Sequence, residues 1–477
     1  MTTFTQAIHA SYKSTKTVTE KGMPARKSTS NYCLDYFYLV GTFRNQPVNL
    51  QLETFHQAYH ENPELAIRIL LWSRDVRQGS GQRNHFRLVL RDLANTNPAI
   101  ANRIANRIAE LGRWDDLLTL FGTSSQLTAL NLIASALNSG DSLCAKWMPR
   151  EKSSKRSQAY LIRKHLSLSP KQYRKLLASL STTVEQQMCA NQWTSINYSH
   201  VPSQASRIYR NAFLRHDQSR YNQFLADTLN PESTAKVNAG AIYPYDVLKN
   251  IDSLTSEQAS HTLAQWQSLP NFIPENTRIL PMIDVSGSMY CSAGGSSVTC
   301  MDVAVSLGLY IAEKQQGLFK DTYLTFDSKP ILKHATGNVI TKAKSIYRAP
   351  WGRTTNIERA LETVFSTASK HNVPEHHMPT HILIFSDMQF DVATTNPNQK
   401  ITKLAETIAS SYGYSAPKLV YWNLRATNNV PTKDTRFGVA MVSGFSPSLV
   451  TGILTNIDDY TPLNVMLNTV NVDRYNF

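Results

Sequence analysis

The chain has 477 residues, of which 42% are hydrophobic and 18% charged, enough for two or three domains with a sizeable core. Its five cysteines, Cys33, Cys144, Cys189, Cys291 and Cys300, show neither a paired framework nor CxxC spacing, which excludes a disulfide-stapled fold and points to a reducing compartment. No apolar stretch approaches membrane-spanning length and residues 1–27 are polar rather than signal-like, so a soluble, cytoplasmic protein is expected. The net charge of +14 is uneven: residues 1–275 hold 31 Lys and Arg against 20 Asp and Glu, and residues 276–477 hold 18 against 15. Basicity therefore sits in the first part, where it attracts polyanions.

In chain order, residues 1–30 lack apolar periodicity and read as a mobile basic tail. Helix signals follow through residues 31–270. Asn62-Pro63, Asn97-Pro98 and Ser169-Pro170 each set a capping side chain before a proline at the first helical position. Ile100, Ile104, Ile108 and Leu111 recur at helical spacing, and Gly112 stops that run. Strand-like alternation is scarce, and short helices with turn-sized gaps suit an α-solenoid.

Two basic faces stand out in this region. After the glycine turn that follows Arg74 and Arg77, Arg83, Arg87 and Arg91 repeat every four residues opposite Phe86, Val89, Leu90 and Leu93. Guanidiniums in register on a rigid helix suit successive phosphates. Between residues 144 and 175 come Lys146, Arg150, Lys152, Lys155, Arg156, Arg163, Lys164, Lys171, Arg174 and Lys175, against Glu151 alone. A solvated surface is the bland explanation of a charge run, but ten basic residues facing one acid exceed it. The RNA-contact candidates are Arg74, Arg77, Arg83, Arg87, Lys146, Arg150, Lys152, Lys155, Arg156, Lys171, Arg174 and Lys175. Trp114, Trp193, Tyr198, Tyr209, Tyr221, Tyr243 and Tyr245 are read as core rather than base-stacking residues. His200, His216, His376 and His377 are read as surface histidines.

Pro270, Pro274 and Pro281 mark a boundary, beyond which a domain of residues 275–477 is expected. Residues 277–283 read as a strand running into Asp284-Val-Ser286-Gly-Ser288, followed by a helix over 303–312. Thr355 opens another helix, and residues 381–385 form a buried-strand run ending in Ser386-Asp387. In an open parallel sheet the loops after such strands converge on one crevice. Asp284, Ser286, Ser288, Thr355 and Asp387 are all hard oxygen donors, suited to Mg²⁺ or another divalent cation that keeps several waters and takes one or two carboxylates. Pro281 removes a ladder donor from a strand that should be central, so a local irregularity is expected there.

The motif Asp284-Val-Ser286-Gly-Ser288 with Thr355 and Asp387 resembles the metal-ion-dependent adhesion site of von Willebrand factor A domains. Together with Arg74-Asp-Val-Arg-Gln-Gly79, Leu111-Gly-Arg-Trp-Asp-Asp116, Ala145-Lys-Trp-Met-Pro149, Val201-Pro-Ser-Gln-Ala205, Tyr421-Trp-Asn-Leu-Arg425 and Val442-Ser-Gly-Phe-Ser446, it resembles a family of two-part proteins with a helical region and a C-terminal domain of that type. The layout is similar to the Ro autoantigen, the prototype of TROVE proteins. That resemblance implies a multidomain α and α/β protein: a HEAT-like helical solenoid or ring before a doubly wound, Rossmann-like A domain. It also implies a ribonucleoprotein component that binds misfolded RNA ends and small structured RNAs, and a metal site facing a partner's acidic side chain. The competing reading is a metal-dependent protein adaptor without RNA. Catalysis is not expected: Ser286 stands where a phosphotransferase of the Asp-x-Asp type carries its second carboxylate, and there is no Walker loop or nucleophile–base pattern.

Overall fold

The computed structural model describes residues 16–20, 24–181, 183–230, 232–326, 330–348, 356–390, 401–427, 430–433, 435–454 and 459–477. The chain divides into two compact units, Leu70–Pro270 with Asp473–Phe477, and Met1–Ile69 with Asn271–Val472.

The first of these units is helical, and no strand occurs among its described residues. Its helices begin where polar caps meet proline. Asn97 accepts from the Ile100 amide at the start of Pro98–Ala105, and Ser169 with Gln172 forms a capping box on Pro170–Leu180. The run ending at Gly112 is not one helix. It breaks at Asn106 and Arg107, whose amides reach back only three residues, and resumes as Ile108–Leu111. The apolar stripe survives the break, because Ile104, Ile108 and Leu111 are all buried. A second core gathers Val184, Ile196, Tyr198, Val201, Phe213, Tyr221, Leu225, Val237 and Ala264. Tyr198 meets Phe213 and Tyr221 edge-on at 5.1 and 4.8 Å, so these rings are packing residues. Trp193 is half-buried and stacks on the exposed His216 at 4.2 Å.

The other unit is built on a sheet. The strands Lys16–Val18 (β1) and Pro24–Arg26 (β2) pair antiparallel. Then come Ile279–Asp284 (β3), Thr322–Phe326 (β4), Ile331–His334 (β5), His381–Ser386 (β6), Lys418–Asn423 (β7) and Val439–Ser443 (β8), in the order β5-β4-β3-β6-β7-β8. All neighbours in that sheet are parallel except β4 and β5. β3 is buried along its whole length, as parallel strands covered on both faces are. The expected irregularity at Pro281 is absent. Pairing with β4 begins only at Met282, so the proline lies where β6 alone flanks the strand and no bond to β4 is lost.

Residues 16–69 depart from the expected tail and helical domain. The helix Tyr32–Val40 buries every residue from Cys33 to Val40. A helix apolar on all sides must be enclosed, and β8 supplies one wall. The Gly41 amide donates to Ser443 Oγ at 3.0 Å, and a Cβ on Gly41 would lie 2.0 Å from the Ser443 carbonyl oxygen. Upstream, Arg26 and Val430 exchange backbone hydrogen bonds of 2.9 and 2.8 Å, and Thr19 Oγ1 donates to the Phe390 carbonyl at 2.8 Å. The described part of the first 30 residues is thus fixed to the sheet unit.

Candidate functional site: an oxygen-lined crevice and a basic helical surface

The parallel strands β3, β6 and β7 end side by side, which brings Asp284, Ser386, Asp387 and Asn423 to one end of the sheet. The turn after β3 is tight: the Ser286 amide donates to Asp284 Oδ1 at 3.0 Å. Ser286 and Ser288 follow on a 3-10 turn, Gly287–Tyr290, and their hydroxyl oxygens lie 3.1 Å apart. Ser386 Oγ donates to Asp284 Oδ2 at 2.7 Å and accepts from the Met388 amide at 3.0 Å, tying the end of β6 to the end of β3. Asp387 Oδ1 accepts from the Gln389 amide at 3.1 Å, around a left-handed Met388 with φ of 63°.

Asp284, Ser286, Ser386 and Asp387 are buried, and Ser288 is half-buried. Burial, and then the nearby charge of Asp387, push Asp284 up from the usual carboxylate range to about 7. Two buried carboxylates that repel each other beside two hydroxyls form a set of hard oxygens with local negative charge, which fits Mg²⁺. Among the described residues no group of three or more His, Cys, Asp or Glu is placed to hold a metal ion. Thr355 lies outside the described residues. So four of the five expected oxygen donors fall on the two loops at this end of the sheet.

Three contributors escaped the sequence reading. Ser386 was visible only as the last residue of a strand run. Arg425 follows β7, and its Nη1 lies 3.9 Å from Asp387 Oδ2 and 3.1 Å from Glu20 Oε2. Its position two residues past a buried strand was the available signal. Glu20 had none, because its segment carries no apolar pattern.

In the helical unit, the first basic face proves to be a structural knot. Arg74 is 1% exposed, and its Nε and Nη2 both reach Asp116 Oδ2, at 2.8 and 2.7 Å. Arg87 donates from Nε to Asp116 Oδ1 at 2.6 Å and pairs with Asp115 at 2.9 Å. Arg113 holds the other side of Asp115. Gly112 leaves room for this, since a Cβ there would sit 2.7 Å from Asp116 Oδ2. Asp75 is tied in turn to Arg474 and Tyr475, with 3.0 Å to Arg474 Nη2 and 3.2 Å to the phenol. Arg74 and Arg87 are therefore not free to contact RNA as expected: carboxylates 42 and 29 residues downstream claim their guanidiniums, and counting cations along one segment could not show that. Arg77 is exposed but donates to the Glu110 carbonyl at 2.7 Å, and Arg83 is exposed.

The second face is different. The helices Arg156–His165 and Pro170–Leu180 carry the exposed Arg156, Lys171, Arg174 and Lys175, and the turn before them carries the exposed Lys152 and Lys155. Glu151, the one acid of the stretch, is held by Arg163 at 2.8 Å and so leaves the others uncompensated. Lys146 and Arg150 are half-buried. Lys146 lies over the Trp147 ring at 5.7 Å, and Arg150 Nη2 donates to Ser181 Oγ at 3.2 Å. The Tyr173 hydroxyl, bonded to the Pro149 carbonyl at 3.2 Å, anchors the second helix against this turn.

One helical unit and one unit built on a largely parallel sheet, the latter with an oxygen-lined crevice at one end of its strands, define a two-part α and α/β protein. The same fold occurs in a solved structure described as the crystal structure of Deinococcus radiodurans RO (RSR) protein, with a TM-score of 0.51 and 14% identity over 93% of this chain and all of that one. The chain belongs to the family described as Domain of unknown function (DUF2828), which matches residues 19–122 and 125–278. A second description, Domain of unknown function (DUF7788), matches residues 279–466. Among curated proteins, Uncharacterized protein L728 of Acanthamoeba polyphaga mimivirus is 29% identical over 508 residues, spanning 95% of this chain and 86% of the relative. Among the described residues no helix is long and apolar enough to cross a membrane.

Proposed function

We propose that this protein binds RNA, structured or with single-stranded ends, on the basic surface of its helical unit. The observation that carries this reading is the set of six exposed cations, Lys152, Lys155, Arg156, Lys171, Arg174 and Lys175, on adjacent elements whose one acid is already neutralised. Charge of that density without internal partners attracts phosphates. The Ro-like fold and the layout resemblance support the same partner. On this reading the helical unit is a HEAT-like array, and the sheet unit is an A-type domain. Ser286 and Ser288 bind Mg²⁺ through their hydroxyls, while Asp284 and Asp387 supply charge, leaving a position for an acidic side chain of a protein partner. The molecule acts as a binding scaffold in the cytoplasm and not as a catalyst.

The test is ultraviolet crosslinking of the full chain in cells, followed by sequencing of the attached RNA and mapping of the crosslinked peptides. Crosslinks within residues 146–175 are the expected result. A parallel purification with nuclease or EDTA separates the alternatives. Partners lost with EDTA but not with nuclease, and no crosslinked RNA, would replace this reading with that of a cation-dependent protein adaptor.

A further inference from the structure

The sequence treats the cysteines as unrelated, but the fold brings two of them together. Cys291 and Cys300 have their sulfur atoms 3.5 Å apart, and both are free thiols. They stand at the neck of the loop between the serine turn Gly287–Tyr290 and the helix Cys300–Lys314. An antiparallel bridge, Ser292 opposite Thr299, closes the loop just inside the pair. The Cys300 amide donates to the Cys291 carbonyl at 2.9 Å, and the Ala293 amide to the Val298 carbonyl at 2.8 Å. The two strands of the neck are thus hydrogen-bonded at the cysteines themselves, and the two sulfur atoms already lie in contact. The backbone is therefore already arranged for a sulfur–sulfur bond. The tip of the loop is held too, by Asn45, whose amide donates to the Gly294 carbonyl at 3.2 Å and whose side-chain nitrogen donates to Gly295 at 2.9 Å.

We propose that Cys291 and Cys300 are a reversible thiol–disulfide modification site. Cys291 is partly exposed and Cys300 buried, which sets the order of events. The Cys291 sulfur attacks a low-molecular-weight disulfide such as glutathione disulfide, forming a mixed disulfide and releasing one glutathione thiol. The Cys300 sulfur then displaces the second glutathione and forms the internal bond. Two protein thiols are oxidised, one glutathione disulfide is reduced, and the two thiol hydrogens leave on the two glutathiones. Bond formation draws the sulfurs from 3.5 Å to about 2.05 Å. The segment that tightens is joined to the serine turn, because the Cys291 amide donates to the Ser288 carbonyl at 3.0 Å.

The experiment uses the full chain with glutathione disulfide raised until the exposed Cys189 is modified, then acid quenching, alkylation and peptide mass spectrometry. The expected product has a Cys291–Cys300 peptide two hydrogens lighter that takes no alkyl group. In Cys300→Ser, Cys291 retains a glutathione adduct because nothing resolves it. Finding both thiols alkylated in the unsubstituted protein while Cys189 is modified overturns the proposal, as does a lasting glutathione adduct on its Cys291. The unsubstituted protein decides the matter even if the variant folds poorly.

Discussion

Salt dependence gives the sharpest test of the basic surface. Each phosphate neutralised on a single strand releases counterions, giving a slope of log affinity against log salt of about −0.7 per contact. If the six exposed candidates Lys152, Lys155, Arg156, Lys171, Arg174 and Lys175 each meet one phosphate, the slope is about −4, and raising salt from about 50 to 200 mM weakens binding roughly 300-fold. The triple variant Lys171→Gln/Arg174→Gln/Lys175→Gln removes half of these contacts. Its slope should fall to about −2 and its loss over the same range to about 20-fold. These side chains are exposed, so the fold is retained. Lys320→Gln/Lys370→Gln/Lys403→Gln, also exposed but in the sheet unit, is the matched control for total charge. Fluorescence anisotropy with a labelled single-stranded RNA at several salt concentrations measures both. An unchanged slope in the helical variant, or an equal fall in both variants, would refute the assignment of contacts to this face.

The remaining predictions concern the packing and the crevice. Asp116→Asn leaves the buried Arg74 without its charge partner and should cost about 3–5 kcal/mol, read by urea unfolding; a loss under about 1 kcal/mol would mean that the knot contributes little. Gly41→Ala forces a methyl group onto the Ser443 carbonyl and should lower stability by at least about 1–3 kcal/mol, seen as a drop in Tm; an unchanged Tm would contradict the close contact. His261 is buried beside Tyr221, 2.9 Å from its hydroxyl, and burial, with the charges of Arg210 and Arg207, pushes it down to about 3. The unfolded chain therefore takes up this proton first. The contribution of His261 is full above the unfolded value near 6.5 and is lost as pH falls toward 3, amounting to about 2 kcal/mol by pH 5. His261→Gln should flatten the stability profile between pH 7 and 5 by that amount, and an unaltered profile would show that the histidine is solvated. Finally, Mg²⁺ at about a hundred times its dissociation constant should stabilise the protein by about 2.7 kcal/mol. Asp284→Asn and Ser286→Ala should abolish that shift, and a shift that survives both would place the cation elsewhere.

Much of the local structure was legible because short-range chemistry fixes it. Asn97 and Ser169 cap the helices they precede, and the buried runs of β3 and β6 end at Asp284 and Ser386 as read. A side chain that caps its own helix, or a strand apolar along its length, needs no knowledge of distant residues. What the sequence could not give was which long-range partner each polar group finds. Arg74 and Arg87 looked like phosphate ligands until Asp115 and Asp116 proved to hold them. Residues 16–69 looked like a tail and a helical domain until Gly41 and Arg26 proved to be locked to the sheet unit. Charge along one segment is a sum over neighbours in sequence, whereas pairing, burial and the meeting of Cys291 with Cys300 depend on where the backbone returns. The sequence by itself determined the helix caps, the strands β3 and β6, and the hard oxygen donors Asp284, Ser286, Ser288 and Asp387 at their ends. Only the tertiary structure decided which cations are neutralised inside the protein and which remain free to face a polyanion.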